Sequence, residues 1–303
     1  MSIRVTKRRI CGILNLDKPQ GMTSRAVVDC VARPLRGVKV GHAGTLDPLA
    51  TGVLVVCVGA ATRLIELVQR MPKTYRTVIR LGARSDTLDA DGQIVEEASP
   101  RVPELAEVRA ALATQVGTID QLPPEYSALK VAGERAYDLA RAGRPVVLQP
   151  RQVRIDRIEL LRYEWPRLEL EIDCGSGTYI RSIARDVGDA LGCGGLIEVL
   201  IRTRIGSFAQ SDGLDPLALR VESIPDLLRP ALEAASDLPM LPIDANALAA
   251  VAQGRTLERG HLGDSAIPAG EVALVGPDGK LVAIAEGDPR NGRVLPRRVL
   301  LAD

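Results

Sequence analysis

The chain has 303 residues, of which 46% are hydrophobic and 25% charged, a composition typical of a folded globular protein and unlike that of a disordered tail. No apolar run reaches the roughly 20 residues of a membrane-spanning helix, and no apolar core follows the basic start of the chain as in a signal peptide, so we expect a cytoplasmic protein without a membrane partner. Five widely spaced cysteines and two histidines, without a Cys-x-x-Cys pair, argue against a zinc site or a disulfide framework.

The net charge of +1 conceals an uneven distribution of basic residues. Residues 1–40 carry nine lysines and arginines against two aspartates, and residues 70–84 carry five basic residues and no acid. Two basic segments of this kind suit a polyanionic substrate, although a solvated basic face is the commoner explanation of such a pattern.

The first predicted elements are a strand at residues 10–16 and, after a turn rich in proline and glycine, a helix at 25–33. Ser24 is predicted to cap this helix, and Pro34 and Gly37 to close it. The chain then becomes continuously apolar at residues 53–58, which is typical of a strand buried on both faces.

Asp47 is the one acidic residue of the stretch 42–52, which is otherwise small or apolar and lies directly before the buried strand. An Asp-Pro pair can begin a helix or form a tight turn. A helix here would have to end by Gly52, after little more than one turn. The pattern alone therefore leaves a structural and a catalytic interpretation of Asp47 equally open.

The middle of the chain is predicted to contain a helix at 61–69, a strand at 75–81 and an acidic loop at 86–92. Residues 168–174 alternate between apolar and polar, which predicts a strand with one solvated face. A turn at 175–178 leads into an amphipathic helix that ends at Gly192. Arg181 lies in the first turn of this helix, where a cation is disfavoured unless a carboxylate or a phosphate faces it.

The composition changes between residues 226 and 242, where Pro, Ala and Leu dominate, and a small β-rich segment follows. Its predicted hairpin pairs residues 272–275 with 281–285 across a Pro-Asp-Gly turn. We therefore place a domain boundary at residue 238, which gives domains at 1–237 and 238–303.

Five motifs follow one another along the chain, namely Lys18-Pro19-x-Gly21-x-Thr23-Ser24, Gly41-His42-x-Gly44-Thr45-Leu46-Asp47-Pro48-x-Ala50-x-Gly52, Tyr75, Gly175-x-Gly177-Thr178-Tyr179-Ile180-Arg181 and residues 200–206. This ordered set resembles the TruB family of tRNA pseudouridine synthases, strongly over residues 10–210 and weakly at the C-terminus. The resemblance implies an α+β fold with a central, mostly antiparallel mixed sheet flanked by helices and loops. It also implies that the C-terminal domain is β-rich and similar to RNA-binding domains of the PUA type.

The resemblance implies that the protein isomerises uridine 55 in the T loop of tRNA to pseudouridine, as a monomer and without a cofactor or metal. This reaction breaks the N-glycosidic bond, turns the uracil and rejoins it through carbon, so nothing external has to be supplied. A carboxylate can act at a sugar carbon, as the glycosidases illustrate, and one suffices where no water has to be activated.

Three residues match the catalytic set of the family. Asp47 matches its catalytic aspartate, Arg181 matches the arginine that pairs with this aspartate, and Tyr75 matches the tyrosine that stacks on the uracil and accepts a proton from its ring carbon. Such a pair would explain both the acid in an apolar loop and the cation at a helix start, because each gives the other a charged partner.

Four further matches imply contact with the substrate. His42 matches the residue that fills the space left when the uridine is turned out of the T loop, and Leu200 matches an apolar residue under the target base. Lys18 would support the site or bind phosphate, and Tyr179 would support the site or contact RNA. Turning a base out of its stack costs a few kcal/mol, so a residue that holds the gap open is needed.

Residues 126–154 correspond to the mobile insert with which the family clamps RNA. Its basic side chains predicted to bind RNA are Lys130, Arg141, Arg144 and Arg151. The chain departs from the family at Ile201, because two adjacent arginines commonly follow the residue that matches Leu200; an RNA contact or a structural contact is then lost or moved.

Two alternative functions remain open at this point. The protein could assist tRNA folding by binding alone, which is compatible with modification. It could also be a hydrolase with Asp47 as nucleophile, but no second carboxylate accompanies Asp47 in any segment predicted to be catalytic.

Overall fold

The computed structural model describes residues 10–126, 148–262 and 265–301, together with the backbone of a short hairpin at 130–131 and 134–135. The helices within these residues are α1 (Ser24–Ala32), α2 (Ile65–Arg70), α3 (Leu105–Ala113), α4 (Ile180–Ala190), α5 (Ile224–Leu227) and α6 (Ala245–Ala252). Within these ranges, no helix has both the length and the apolar character needed to cross a bilayer.

The strands of the first 209 residues are, in chain order, β1 (Gly12–Lys18), β2 (Val40–His42), β3 (Thr51–Val58), β4 (Lys73–Leu81), β5 (Ala83–Ser85), β6 (Ile94–Glu96), β7 (Gly117–Gln121), β8 (Lys130–Val131), β9 (Glu134–Arg135), β10 (Arg151–Glu164), β11 (Arg167–Cys174), β12 (Gly195–Ile205) and β13 (Phe208–Ala209). In the described part of the chain, one large sheet has the order β1-β3-β12-β4-β11-β10-β7, with β2 beside β3 and β13 beside β12. Its neighbours are antiparallel except for β3 and β12, which run parallel. The predicted mostly antiparallel mixed sheet is therefore confirmed.

Strand β3 is buried on both faces, as its apolar run predicts. Val53 and Val55 join a cluster on one face that includes Leu67 of α2, whereas Leu54 and Val56 pack on the other face against α1. Because neither face meets solvent, every side chain from Val53 to Val58 is fully buried. This rigid strand is the support from which the loop of Asp47 emerges.

Two predicted features differ in the structure, namely the cap of α1 and the helix at residues 61–69. Thr23, not Ser24, caps α1, since its Oγ1 accepts a hydrogen bond from Ala26 N–H at 3.0 Å. The helix expected at 61–69 is divided into a 3-10 segment at Gly59–Leu64 and the short α2. The predicted helix is thus divided between two shorter elements, while the strands predicted before and after it are present as β3 and β4.

The central strands present one face to the core and the other to solvent. In β11, Leu168, Leu170 and Ile172 are fully buried against α3 and α4, whereas the residues between them point outward. The neighbouring β4 alternates in the same way, which directs Lys73 and Tyr75 inward on the face that α4 covers. The inner face of these strands forms the floor of the candidate site.

A second sheet is formed by β14 (Met240–Pro242), β15 (Leu257–Glu258), β16 (Gly270–Val275), β17 (Leu281–Asp288) and β18 (Arg293–Val299). Within the described residues its order is β14-β16-β17-β18-β15, and the predicted hairpin is β16 with β17. The β-rich C-terminal region is thus as expected; the boundary at residue 238, two residues before β14, stays a prediction.

The two sheets share one hydrophobic cluster. Ala273, Leu281 and Ile284 of the second sheet are buried in the same cluster as Ile13 and Val53 of the first. Ion pairs surround this contact, since Arg298 pairs with Glu66, and Arg70 Nη2 lies 2.7 Å from Glu271 Oε2. The helix α2, which carries Glu66 and Arg70, is therefore held between the two sheets.

Candidate active site

Asp47 lies in a loop between β2 and β3 that leaves its carboxylate accessible. The side chain of Asp47 is 35% exposed, although Leu46 and Leu49 on either side are buried. The backbone turns at Gly44 (φ +112°) and Gly52 (φ +97°), conformations that other residues rarely adopt. At Gly52 a Cβ atom would lie 2.3 Å from the carbonyl oxygen of Arg202, so this position also requires glycine for its close contact with β12.

Arg202 of β12 holds this loop from behind. It is 2% exposed; its Nε donates to Val53 O at 2.8 Å and its Nη2 to Gly44 O at 3.1 Å. A buried guanidinium that donates to carbonyls at both ends of a loop fixes the path of the backbone between them. The arginine after Ile201 is thus a structural support of the Asp47 loop, and it also lines the pocket into which Asp47 opens.

Ser24 and Lys18 hold the same loop from the other side. Ser24 Oγ accepts from Leu46 N–H at 2.8 Å and is 2.9 Å from Leu46 O, to which it donates. Lys18 is fully buried and its Nζ donates to Pro19 O at 3.0 Å and Pro48 O at 3.3 Å. Of the two roles expected for Lys18, the structure favours support of the site, because a fully buried ammonium has no surface to offer a phosphate.

Arg181, near the start of α4, meets Asp47 through a single nitrogen. Its Nε lies 3.0 Å from Asp47 Oδ2, while Nη1 donates to Thr87 O at 2.8 Å and Nη2 to Tyr126 O at 2.8 Å. The guanidinium is 6% exposed, so the side chain is held by its surroundings in one orientation. The contact is therefore not a bidentate pair: three nitrogens of one guanidinium serve three different partners.

A second carboxylate lies behind Arg181, which the sequence did not lead us to expect. Asp89 Oδ2 is 3.6 Å from Arg181 Nη1, and Asp89 is 4% exposed. Burial raises the pKa of Asp89, opposed by a hydrogen bond from Thr87 and by the charge of Arg181. Asp89 does not line the pocket that the described residues form, so its place in the site is behind Arg181, as a second acidic partner of the guanidinium.

The carboxylate of Asp47 opens into a pocket with a volume of about 470 Å³, within the range of small-molecule sites. Four of the residues predicted from the sequence line this pocket together with Asp47, namely Tyr75, Tyr179, Arg181 and Leu200. Tyr75 and Leu200 are each 7% exposed and come from the adjacent strands β4 and β12. They provide a flat apolar floor beside the charged pair.

Two more side chains of the pocket have altered pKa values. Burial raises the pKa of Tyr75, although a hydrogen bond and the charge of Arg202 oppose this, so the phenol is protonated at neutral pH. Burial and the charge of Arg202 lower the pKa of Lys73 to about 8. Lys73 Nζ donates to Gln69 O and Met71 O, each at 2.7 Å, and so ties the end of α2 to β4.

A neutral Tyr75 phenol suits stacking on a base. To accept a proton from the uracil ring, the phenol must first lose its own proton.

No group of three His, Cys, Asp or Glu side chains lies close enough together to hold a metal ion within the ranges that the structure describes.

Comparison with known proteins identifies the family. A model of the TruB family pseudouridylate synthase (N terminal domain) matches residues 32–180. A protein named tRNA pseudouridine synthase B from Xanthomonas campestris pv. campestris is 42% identical over 99% of this chain and 97% of that protein. A protein of the same name from Cereibacter sphaeroides is 43% identical over 96% of this chain and 97% of that protein.

The chain belongs to the TruB family of pseudouridylate synthases. The family predicted from the five motifs is therefore confirmed, and with it the prediction of an enzyme that forms pseudouridine. Solved structures agree on the fold. A Cbf5-Nop10-Gar1 complex aligns with a TM-score of 0.74 at 27% identity, over 96% of this chain and 85% of that chain. An H/ACA RNP bound to a substrate RNA containing 2′-deoxyuridine aligns with a TM-score of 0.72 at 25% identity, over 96% and 85% of the two chains.

Of the remaining residues predicted for this TruB-family site, His42 and Arg151 belong to the described part of the chain and do not line the pocket. His42 ends β2, five residues before Asp47, and does not line the pocket that the described residues form. Burial and the charge of Arg202 lower the pKa of His42, so its ring is neutral at pH 7. Arg151 is exposed at the start of β10. The side chain of Lys130 and all of Arg141 and Arg144 lie outside the described residues.

Sequence reasoning missed five residues that shape this TruB-family site: Ser24, Lys73, Asp89, Gln121 and Arg202. Each is 8% exposed or less, and a buried polar side chain needs a partner. Arg202, which is flanked by strand residues on both sides, could have drawn attention as a candidate for burial. The partners of the five residues could not have been named, because these lie far away along the chain or in the backbone.

Proposed function

We propose that this enzyme converts uridine 55 in the T loop of tRNA to pseudouridine, with Asp47 as its essential carboxylate. The observation that carries the proposal is the ion pair of Asp47 with Arg181 at the edge of a pocket floored by Tyr75 and Leu200. The substrate class is supported by the name tRNA pseudouridine synthase B that relatives of about 40% identity carry. The position in the T loop is supported by the motifs that this chain has in common with the family.

The reaction is an isomerisation whose atoms balance within the substrate. The bond between N1 of uracil and C1′ of ribose breaks, and a bond between C5 and C1′ forms. The proton on C5 leaves and N1 ends with a proton, so neither water nor an external reagent enters the product. One carboxylate that acts on the nucleotide and one group that orients it are sufficient for such a reaction.

Asp47 and Arg181 divide these two tasks according to their exposure. Asp47 is 35% exposed and faces the pocket, so it is the member of the pair that meets the nucleotide. Arg181 is 6% exposed and is held by three partners, which keeps the carboxylate in one orientation before the substrate arrives. Tyr75 stacks against the uracil, and Leu200 supports the base from the neighbouring strand.

The uridine must leave the stacked T loop to enter this pocket, which costs a few kcal/mol. His42 precedes the Asp47 loop and fills the vacated space with a neutral ring, whose pKa burial lowers. A neutral ring can stack between bases and form hydrogen bonds at its edges without attracting a phosphate. We expect the enzyme to act in the cytoplasm as a monomer.

The test uses a T stem-loop transcript and compares Asp47→Asn with the wild-type enzyme. We expect Asp47→Asn to bind the transcript with similar affinity and to form no pseudouridine, measured by release of tritium from C5-labelled uridine. Asp29→Asn is the matched control, because Asp29 pairs with Arg25 on the surface of α1, away from the pocket. Undiminished modification by Asp47→Asn would contradict the role of Asp47, and a wild-type enzyme without activity on the transcript would contradict the proposed substrate.

A further inference from the structure

Gln121, the last residue of β7, binds the backbone at the start of α4 through both ends of its side chain. It is 1% exposed. Its Oε1 accepts from Tyr179 N–H at 2.8 Å, and its Nε2 donates to Tyr179 O at 3.1 Å. A carboxamide paired in this way supplies, from a side chain, the two hydrogen bonds that a residue of a neighbouring strand would supply.

Three more hydrogen bonds join the same two segments. Ser182 Oγ donates to Leu122 O at 2.8 Å, and Arg185 Nη2 donates to the same oxygen at 2.9 Å. Arg181 Nη2 donates to Tyr126 O at 2.8 Å. The chain that follows β7 is therefore attached to the first half of α4 at several points, with Gln121 at the beginning of the attachment.

The start of α4 depends on this attachment because it lacks a cap of its own. Tyr179 occupies the N-cap position in an extended conformation, and its side chain makes no capping hydrogen bond. Gln121 thus holds the backbone directly at the point where it enters the helix, one residue before the first helical residue, Ile180. Tyr179 and Arg181, two residues apart, both line the pocket. A rotation of the helix start would carry Arg181 Nε away from Asp47, to which it is 3.0 Å distant.

We infer that Gln121 is a positioning residue of the pseudouridine-forming site, which acts through Tyr179 on the direction of Arg181 toward Asp47. The inference rests on the proposed function of this pocket. Gln121 itself does not line the pocket of described residues, so it makes no contact with a nucleotide there. Its loss therefore lowers the rate of the chemical step and leaves RNA affinity nearly unchanged.

The first experiment compares Gln121→Met with the wild-type enzyme in single turnover, with enzyme in excess over a T stem-loop transcript. We expect the rate to fall at least about tenfold and the Kd for the transcript to change less than about threefold, because a small misplacement near reacting groups affects turnover strongly. The matched control is Gln93→Met, an exposed glutamine directly before β6 that does not line the pocket and bonds Asp86 only through its backbone N–H, and it should keep the wild-type rate.

The second experiment uses Gln121→Glu and varies the pH. A protonated glutamic acid offers one donor and one acceptor to Tyr179, as glutamine does, whereas its carboxylate form has no donor and faces the carbonyl oxygen. Burial raises the pKa of such a group. The ratio of the Gln121→Glu rate to the wild-type rate should therefore rise as the pH falls from about 8 to about 6, while the ratio for Gln121→Met stays constant.

These outcomes separate positioning from mere support of the fold. All rates are measured at a temperature at which each variant has the same circular dichroism spectrum as the wild-type enzyme. If Gln121→Met does not fold, the pH dependence of Gln121→Glu alone tests the inference. A wild-type rate in Gln121→Met, a loss confined to RNA affinity, or a flat pH ratio for Gln121→Glu would overturn the inference. Inactivity of the wild-type enzyme would instead refute the proposed function.

Discussion

Replacing Gly52 by alanine tests how strongly the loop of Asp47 depends on close contact between β3 and β12. The added Cβ would lie 2.3 Å from Arg202 O and 2.9 Å from Arg202 C, and both atoms belong to the backbone and cannot turn away. Gly117 provides a matched control. Its φ of +108° is close to the +97° of Gly52, yet its Cβ would meet nothing within 4 Å.

The difference between the two variants isolates the cost of the contact. The positive φ costs an alanine about 1–2 kcal/mol at either position. The collision at Gly52 adds roughly 1–3 kcal/mol, as other small-to-large changes in packed sites do. In a protein of this size the melting temperature should fall by roughly 5–15 °C for Gly52→Ala and roughly 2–6 °C for Gly117→Ala.

The assay is a thermal melt of both variants, followed by the single-turnover rate well below their melting temperatures. Since Arg202 also holds Gly44 and Val53, a shift of its backbone should move Asp47 and lower the rate in Gly52→Ala alone. Equal melting temperatures in the two variants would refute the reasoning, because strain from φ would then account for the whole effect.

Three further predictions follow from the charged groups. Arg181→Lys should lower the single-turnover rate at least about 100-fold with RNA binding retained, because one ammonium cannot reach Asp47, Thr87 O and Tyr126 O together; a rate near wild type would contradict this role. Burial lowers the pKa of Lys18 from 10.5 to about 8, so between these pH values the unfolded chain holds the proton that the folded chain has lost. The unfolding free energy of wild type relative to Lys18→Met should therefore rise with pH in this window, by up to about 3 kcal/mol; denaturant titrations at pH 7.5 and 10 measure it, and a falling difference would give the wrong sign. Affinity for the T stem-loop should weaken roughly tenfold or more for a few-fold rise in salt, and a flat response in a binding titration would argue against phosphate contacts.

The sequence was sufficient for features that depend on neighbouring residues. The apolar run of β3 and the amphipathic pattern of α4 gave those elements nearly to the residue. Asp47 and Arg181 each stood out because the local surroundings did not suit their charge, and the structure brings them within 3.0 Å.

Features that depend on partners far away along the chain could not be predicted from the sequence. Asp89 is one of three aspartates in the loop at 86–92, and nothing in the sequence distinguishes it from the other two. Its burial arises because the loop crosses to β12, where Ala90 N–H donates to Ile197 O at 2.9 Å. Ser24 looked like a helix cap because its true partner, Leu46, is 22 residues away. Arg202 points inward because it lies in β12 beside a shift in register, and the alternation of side chains in the sequence does not predict such a shift.

The hydrophobic cluster common to the two sheets bears on how this enzyme can be shortened. A chain cut at residue 237 would lose Ala273, Leu281, Ile284 and Leu300, all buried against the face of β1 and β3. Water would then reach Ile13 and Val53, and α2 would lose the partners of Glu66 and Arg70 beside the pocket. The C-terminal sheet therefore cannot be removed without exposing apolar residues of β1 and β3. A shortened protein for crystallisation or fusion would need polar replacements on this face, which lies next to the strand that follows the Asp47 loop.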